Sequence, residues 1–126
     1  MMREVCFLVG AHDEVLWADI SGSPGSLPDS RARWEAIWER RQDVAEIAHS
    51  HPRGPAEFSR EDETTMTALA SALGELAPRF SVVAPDFTLV RDKSGERRRE
   101  HEPWWADVLR LASGMSPRPR IVRDER

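Results

Sequence analysis

The chain has 126 residues, of which 40% are hydrophobic and 32% are charged, and this is the size and the mix of a single globular domain. The net charge of -4 offers no basic face for nucleic acid, and the longest apolar run is far too short to span a membrane. One cysteine, Cys6, and an N-terminus without a signal-peptide pattern indicate a protein of the reducing cytoplasm.

The first half of the sequence predicts a hairpin, a helix and a third strand. Two short apolar runs flank a polar turn, as in a β-hairpin, and a loop rich in Ser, Gly and Pro follows at 21–28. Asp29 or Ser30 then caps a helix that runs to about Gln42. The inward stripe of this helix is expected to comprise Trp34, Ile37 and Trp38. The strands are expected at 4–10, 14–20 and 44–50.

The second half predicts two more helices around three strands. One helix begins at Ser59 and ends near Leu76, and another covers 104–112, with Pro103 at its start. The arginines at 97–99 are expected to form a solvated polar edge. The core stripe of the first helix is expected to comprise Met66, Leu69, Leu73 and Leu76. The strands are expected at 80–84, 87–91 and 96–99.

The resulting order, β-β-α-β-α-β-β-α, predicts the fold class. Strands that alternate with helices indicate an α/β domain, with a central mixed sheet flanked by helices. We expect this domain to occupy residues 1–112. Residues 113–126 contain Gly, Pro and several Arg residues, and we expect them to form a flexible C-terminal tail.

Two histidines at the end of the third predicted strand indicate a metal site. His49 and His51 are two residues apart, so on a strand their side chains point to the same side and can bind one ion. Asp62 lies in the first turn of the next helix, on the same stripe as Met66, and can be the third ligand. Two imidazoles, a carboxylate and one open position make a catalytic zinc site, so we expect one Zn²⁺ per chain.

Two further residues complete a hydrolytic site. Glu4 begins the first strand and is the expected general base, which takes a proton from the zinc-activated water. Ser59 precedes the carboxylate ligand by three residues, and its hydroxyl is the expected donor to a developing oxyanion. Glu46 and Glu57 are rival bases, but strand alternation points Glu46 to the face opposite the histidines, and Glu57 lies in a loop.

These residues resemble the signature of the JAMM, or MPN-positive, zinc metalloproteases, which include the prokaryotic JAB domains. The resemblance covers about 3–90, which is most of the predicted domain. The matching central motif is His49-x-His51-Pro52 followed by Ser59-x-x-Asp62. The run that is similar to the family's first strand, which carries the catalytic glutamate, is Glu4-x-Cys6-x-Leu8-x-Gly10.

The resemblance implies an MPN fold of the cytidine deaminase-like class and a role for each site residue. His49, His51 and Asp62 would bind zinc. Glu4 would act as acid and base, and Ser59 would stabilise the tetrahedral intermediate. The implied activity is that of an isopeptidase or peptidase that cleaves after the C-terminal tail of a ubiquitin-like or sulfur-carrier protein.

The same resemblance implies partners. Bacterial relatives act beside activating and conjugating enzymes, so these are expected partners together with the ubiquitin-like substrate. No nucleic-acid or membrane partner is expected, and a homodimer is left open.

Two features depart from the family pattern. The family usually has a helix before the glutamate strand, so the helix at 104–112 or a partner chain is expected to cover that face of the sheet. Phe7 stands where the family often has glycine, and we expect it to reshape the floor of the site. The long insertions with which eukaryotic deubiquitinases grip linked ubiquitins are also absent from the sequence.

Other interpretations of these residues stay open at this point. Ser59-x-x-Asp62 is also the pattern of a helix capping box, and the domain would then be a non-catalytic MPN scaffold. A metallohydrolase of the same fold that acts on small amide-linked molecules is a further alternative. A cupin-like metal protein would use Glu57, but the three predicted helices argue against it. Cys6 is expected to be a small core residue and no nucleophile.

Overall fold

The structure, a computed structural model, describes residues 2–20 and 31–117. Six strands form one sheet in the order β2-β1-β3-β4-β5-β6, in which β3 and β4 are parallel and all other neighbours are antiparallel. The predicted α/β class with a mixed sheet is therefore confirmed. The strands are β1 Val5–Gly10, β2 Val15–Ile20, β3 Val44–Ser50, β4 Arg79–Val83, β5 Thr88–Asp92 and β6 Gly95–Arg98. The helices are α1 Arg31–Glu39, α2 Arg60–Leu73 and α3 Trp104–Ser113.

Helices α1 and α2 cover one face of the sheet. Alternation along the strands sends Cys6, Leu8 and Ile47 to this side. The helices bury apolar residues against them, and this layer forms one of two core clusters. Its helix members are Ala36, Ile37, Leu69 and Leu73.

Helix α3 covers the opposite face. Its Trp105, Ala106 and Leu109 are fully buried against alternate residues of β1, among them Phe7. Phe7 therefore packs under α3, on the face away from His49, and the expectation that it shapes the floor of the site is wrong. The expectation that the C-terminal helix covers this face is confirmed. Trp104, which precedes the buried Trp105, is 61% exposed.

Two predicted core residues are exposed. Trp38 is 54% exposed because the buried arc of α1 is centred on Ala36 and Ile37, one residue earlier, and the Trp38 ring stacks under the Arg41 guanidinium instead. Leu76 is also exposed, because α2 ends at Leu73 and Gly74, with a φ of 58°, turns the chain into a short 3-10 segment.

A buried glutamate joins β3 to the far edge of the sheet. Glu46 is fully buried, and its carboxylate accepts hydrogen bonds from Arg79 Nε at 2.6 Å and Ser81 Oγ at 2.6 Å. Both terminal nitrogens of Arg99 also donate to it, at 2.9 and 2.7 Å. Arg99 was expected on a solvated edge, and this is wrong because the buried carboxylate needs its charge.

Several expectations fall on residues outside the described part of the chain. These are the loop at 21–28, the caps Asp29 and Ser30, and the end of the predicted tail, residues 118–126. Within the described part, Ser113 ends α3 and Met115 is buried beneath it. None of the three described helices has the length and apolar character that a membrane crossing requires.

The Glu46 network predicts a stability that depends on pH. Burial alone would raise the pKa of Glu46, but the hydrogen bonds from Arg99, Ser81 and Arg79 outweigh burial and hold that pKa below its usual value. The ionised carboxylate thus stabilises the fold above about pH 4.3, the value of an unfolded glutamate, and the contribution is lost as the pH falls further. We expect Glu46→Gln to lower the free energy of unfolding by about 3–5 kcal/mol near neutral pH.

Urea unfolding near neutral pH and in acid checks this expectation. The deficit of Glu46→Gln relative to wild type should shrink as the pH falls below the ordinary glutamate range. Glu39→Gln, which changes an exposed acid at the end of α1, is the matched control and should show little deficit. A deficit of Glu46→Gln that is equal at both pH values would contradict the account.

Candidate metal centre

The end of β3 fixes both histidines on one side of the sheet. His49 pairs with Cys6 of β1, so its side chain shares the face that α1 and α2 cover. The His51 N–H donates to the Val83 carbonyl at 2.9 Å, which continues the pairing with β4 beyond the last residue of β3. Both imidazoles are thus positioned by β3 and β4, the two central strands of the sheet.

The start of α2 brings the carboxylate of Asp62 to the histidines. The Ser59 N–H donates to Asp62 Oδ2 at 2.8 Å, and the Asp62 N–H donates to Ser59 Oγ at 3.1 Å. This is a complete capping box, so the pattern Ser59-x-x-Asp62 does cap the helix. The cap also fixes the Asp62 side chain, because one carboxylate oxygen is already held by the backbone.

The three side chains converge on one point. Nε2 of His49 lies 3.2 Å from Nε2 of His51, and the two nitrogens lie 3.0 and 3.2 Å from Oδ1 and Oδ2 of Asp62 respectively. One ligand atom from each residue lies within 4.8 Å of the others. Donors bound at about 2.0–2.1 Å in a tetrahedral zinc site are about 3.3 Å apart. The donor set and its spacing therefore fit a divalent metal ion of the zinc type.

The hydrogen bonds of His51 favour a cation at this point. Its Nδ1 lies 3.1 Å from the Pro55 carbonyl oxygen, which can only accept, so Nδ1 carries the proton and donates. In the neutral ring Nε2 then has a lone pair, and this lone pair faces the Asp62 carboxylate. Two such groups repel unless a proton or a metal ion lies between them. A backbone carbonyl on the far nitrogen is also the usual second contact of a metal-bound histidine.

Without a metal ion, a proton on His51 satisfies the same contact. Burial alone would raise the pKa of Asp62, but hydrogen bonds from His49 and His51 outweigh burial and hold that pKa well below its usual range. Burial alone would lower the pKa of His51, but the contacts with Asp62 and the Pro55 carbonyl outweigh it, so the pKa of His51 is raised. Asp62 is therefore ionised at neutral pH and available to a cation.

Glu4 and Ser59 line the same cleft as His51 and Asp62. The cleft has a volume of about 680 Å³ and is open to solvent, because exposed residues such as Glu57 form its rim. The side chains of His51 and Asp62, which line the cleft, are 14% and 17% exposed, so a ligand in the cleft can reach them. His49 lies on the inner side, next to a small apolar cavity of about 60 Å³.

The backbone on either side of Glu4 is held in place. The Arg3 N–H donates to the Ser113 carbonyl at 2.9 Å, and the Val5 N–H donates to the buried Ser50 Oγ at 2.8 Å. The β1–β3 register, in which Cys6 pairs with His49, places Glu4 opposite His51 when it is continued by two residues. The backbone at Glu4 therefore lies next to His51, and Glu4 lines the cleft.

The rival groups lie elsewhere. Glu46 points to the opposite face, as strand alternation predicts, and is engaged by two arginines. Glu57 is exposed on the rim of the cleft. Cys6 is buried beside His49, and burial raises the pKa of its thiol to about 12, so it is no nucleophile at neutral pH.

Several residues of the site carry no signal in the sequence. Ser50 reads as an ordinary strand residue, and Pro55 contributes only its carbonyl oxygen. Arg33 of α1 lines both the cleft and the inner cavity. Phe58 lies next to His49, and Arg91 stacks on Phe58. These contacts join segments that are distant in the sequence, and hydrophobic periodicity does not predict them.

Comparison with protein families identifies the chain. Residues 3–105 match the family model of prokaryotic homologs of the JAB domain. Because the match covers most of its length, the chain belongs to this family. The resemblance inferred from the signature residues is thereby confirmed. Comparisons with curated proteins and with solved structures found no significant match.

Proposed function

We propose that this JAB domain is a zinc-dependent peptidase or isopeptidase that cleaves after the C-terminal tail of a ubiquitin-like or sulfur-carrier protein. The observation that carries the proposal is the convergence of His49, His51 and Asp62 at an open cleft that Glu4 and Ser59 also line. Membership of the family supports a metallohydrolase, and the donor set supports zinc.

The chain would hold the ion through two imidazole nitrogens and one carboxylate. His51 is oriented for this by the Pro55 carbonyl, and Asp62 by the capping box. When bound, zinc in such a site acidifies a water molecule and polarises the scissile carbonyl. The low pKa of Asp62 keeps its carboxylate ionised, whereas the raised pKa of His51 means that zinc binding has to displace a proton from that imidazole.

Glu4 is the residue best placed to move protons. Its backbone is fixed on both sides, by Ser113 and by Ser50, and its position in the register lies opposite His51. A carboxylate held there can take a proton from the attacking water and pass it to the leaving amine. Such a transfer is required in amide hydrolysis, because without a proton on the nitrogen the breaking C–N bond would have to expel an amide anion, which is a very poor leaving group.

Ser59 can cap helix α2 and donate a hydrogen bond to the substrate at the same time. Its Oγ accepts the Asp62 N–H as part of the cap, and this contact uses a lone pair of the oxygen. The hydroxyl proton can therefore be donated to a substrate oxygen on which negative charge develops. The cap would in turn hold the hydroxyl beside the cleft.

The surroundings of the site support an extended polypeptide as substrate. The cleft is open, whereas a small amide-linked molecule would suit a closed pocket. Within the described part of the chain, β2 is the edge strand on this side of the sheet, and its residues Asp19 and Ile20 pair with Cys6 and Val5. An extended tail can pair with such an edge and reach the centre. Activating and conjugating enzymes that handle the same tail would be natural partners.

A metal-free MPN scaffold is the second candidate, and one observation favours it. The capping box and the contacts of Asp62 with both histidines satisfy the polar groups of the cluster through protons alone. A scaffold of this kind would need no zinc for its stability or for binding a partner.

Replacement of the general base tests the proposed activity. We expect Glu4→Gln to keep zinc, because the three ligands are unchanged, and to lower kcat/KM by about a hundredfold to ten-thousandfold. The assay is cleavage of a ubiquitin-like protein fused through its C-terminal tail to a reporter, with zinc content measured on the same samples. Glu61→Gln, an exposed acid that lines the same cleft, is the control and should cleave like wild type. Near-full cleavage by Glu4→Gln would show that another group is the base.

Two variants separate the cap from the catalytic hydroxyl of Ser59. Alanine at the cap should lower the free energy of unfolding by about 1 kcal/mol, and glycine by only a few tenths, since glycine is tolerated at helix caps. Both lack the hydroxyl, so we expect Ser59→Ala and Ser59→Gly to lower turnover equally, by roughly a hundredfold. Thermal unfolding and the cleavage assay give the two readouts. High turnover by Ser59→Gly would leave Ser59 as a helix cap alone.

A further inference from the structure

The metal centre joins two separate elements of the fold. His49 and His51 belong to the central strand β3, whereas Asp62 belongs to the first turn of α2. The distance between the imidazoles and the carboxylate therefore depends on what ties the start of α2 to the sheet. The buried residues nearest to Asp62 along α2 are Met66, one turn further on, and Leu69, two turns further on, so the first turn itself depends on other contacts.

Arg91 of β5 makes such a tie. Its two terminal nitrogens donate to the two carboxylate oxygens of Glu63, each at 2.6 Å, in a bidentate pair. Glu63 directly follows Asp62 in the first turn of α2. Glu96 of β6 accepts from the same guanidinium at 2.5 and 3.0 Å, and so fixes Arg91 from the opposite side. The first turn of the helix is thus fastened to the outer strands.

The same guanidinium reaches the histidine side of the centre. It stacks on the ring of Phe58, with its central carbon 4.7 Å from the ring centroid. The Phe58 ring in turn lies 6.4 Å from the ring of His49, tilted by 51°. Phe58 immediately precedes Ser59, the cap of α2. Arg91 therefore contacts the surroundings of the centre from two directions. It packs on Phe58, which lies next to His49, and it forms an ion pair with Glu63 in the first turn of α2.

We propose that Arg91 is a positioning residue of the metal centre, which sets the place of Asp62 relative to His49 through its clamp on Glu63 and Phe58. It touches no metal ligand, so its effect would be to preorganise the three ligands. This inference rests on the proposed function, because it requires that the centre binds a metal. Groups that hydrogen-bond directly to metal ligands change metal affinity by about 10- to 100-fold, and a residue one contact further out is expected at the lower end of that range.

The experiment measures the zinc dissociation constant by competition with a chelator. The proteins are wild type, Arg91→Gln, Glu63→Gln and the double variant, at a temperature where circular dichroism shows all of them folded. A residue that only stabilises the fold leaves the dissociation constant of folded protein unchanged. The matched control is Arg97→Gln, which breaks the exposed ion pair of Arg97 with Asp92, at 2.8 Å, at the same edge of the sheet.

We expect Arg91→Gln to weaken zinc binding about tenfold and Arg97→Gln to leave it unchanged. Glu63→Gln should weaken binding less, because the contact of Arg91 with Phe58 remains. The double variant should bind like Arg91→Gln alone, since both changes break one clamp and their effects are then not additive. Glu63 is exposed on the helix surface, so its variant keeps the test valid if Arg91→Gln does not fold.

The outcomes separate this inference from the proposed function. If wild type binds zinc and Arg91→Gln binds as tightly as Arg97→Gln, Arg91 has no positioning role and the proposed function still stands. If the losses of zinc affinity in Arg91→Gln and Glu63→Gln add in the double variant, the two residues act independently and the proposed clamp is wrong. Wild-type protein that binds no zinc would overturn both.

Discussion

The contact between the Asp62 carboxylate and the two imidazoles of His49 and His51 is the interaction on which the centre depends. It joins a helix start to the end of the central strand, and neither element alone has the ligands for a metal. The capping box aims the carboxylate, and the Pro55 carbonyl sets the proton on His51 so that its other nitrogen faces inward. Two imidazole nitrogens and a carboxylate thus meet at one point, which a proton or a metal ion stabilises.

The rest of the domain holds the strands and the helix that carry these three side chains. On the far face, α3 buries Trp105 and Leu109 against β1, and the carbonyl of Ser113 at its end holds the segment that carries Glu4. Arg99 directly follows the edge strand β6, and its guanidinium forms an ion pair with the buried carboxylate of Glu46 on the central strand β3. The core on both faces and the polar network together make the strands rigid, and rigid strands are what a preorganised site requires.

Much of the fold and the main members of the centre could be predicted from the sequence because they follow local rules. Strand periodicity places His49 and His51 on one side, and the spacing of Asp62 puts it in the first turn of α2. Contacts between residues that are far apart in the sequence could not be predicted, because strand alternation and helix spacing describe only neighbouring residues. The expected role of Trp38 was wrong because its spacing matched an inward stripe, whereas the buried arc of α1 is centred on Ala36 and Ile37. Phe7 was expected at the site because the family often has glycine there, whereas it packs under α3. The ion pair of Arg99 with Glu46 was missed because the two residues are 53 positions apart in the sequence.

The most direct test of the central claim is the zinc content of the purified protein, measured for wild type beside His49→Ala. His101→Ala, which removes an exposed histidine away from the centre, is the matched control. The account predicts one zinc per chain in wild type and in His101→Ala, and none in His49→Ala, because the centre then keeps only two of its three ligands. Wild-type protein that takes up no zinc after reconstitution, or His49→Ala that retains it, would contradict the account.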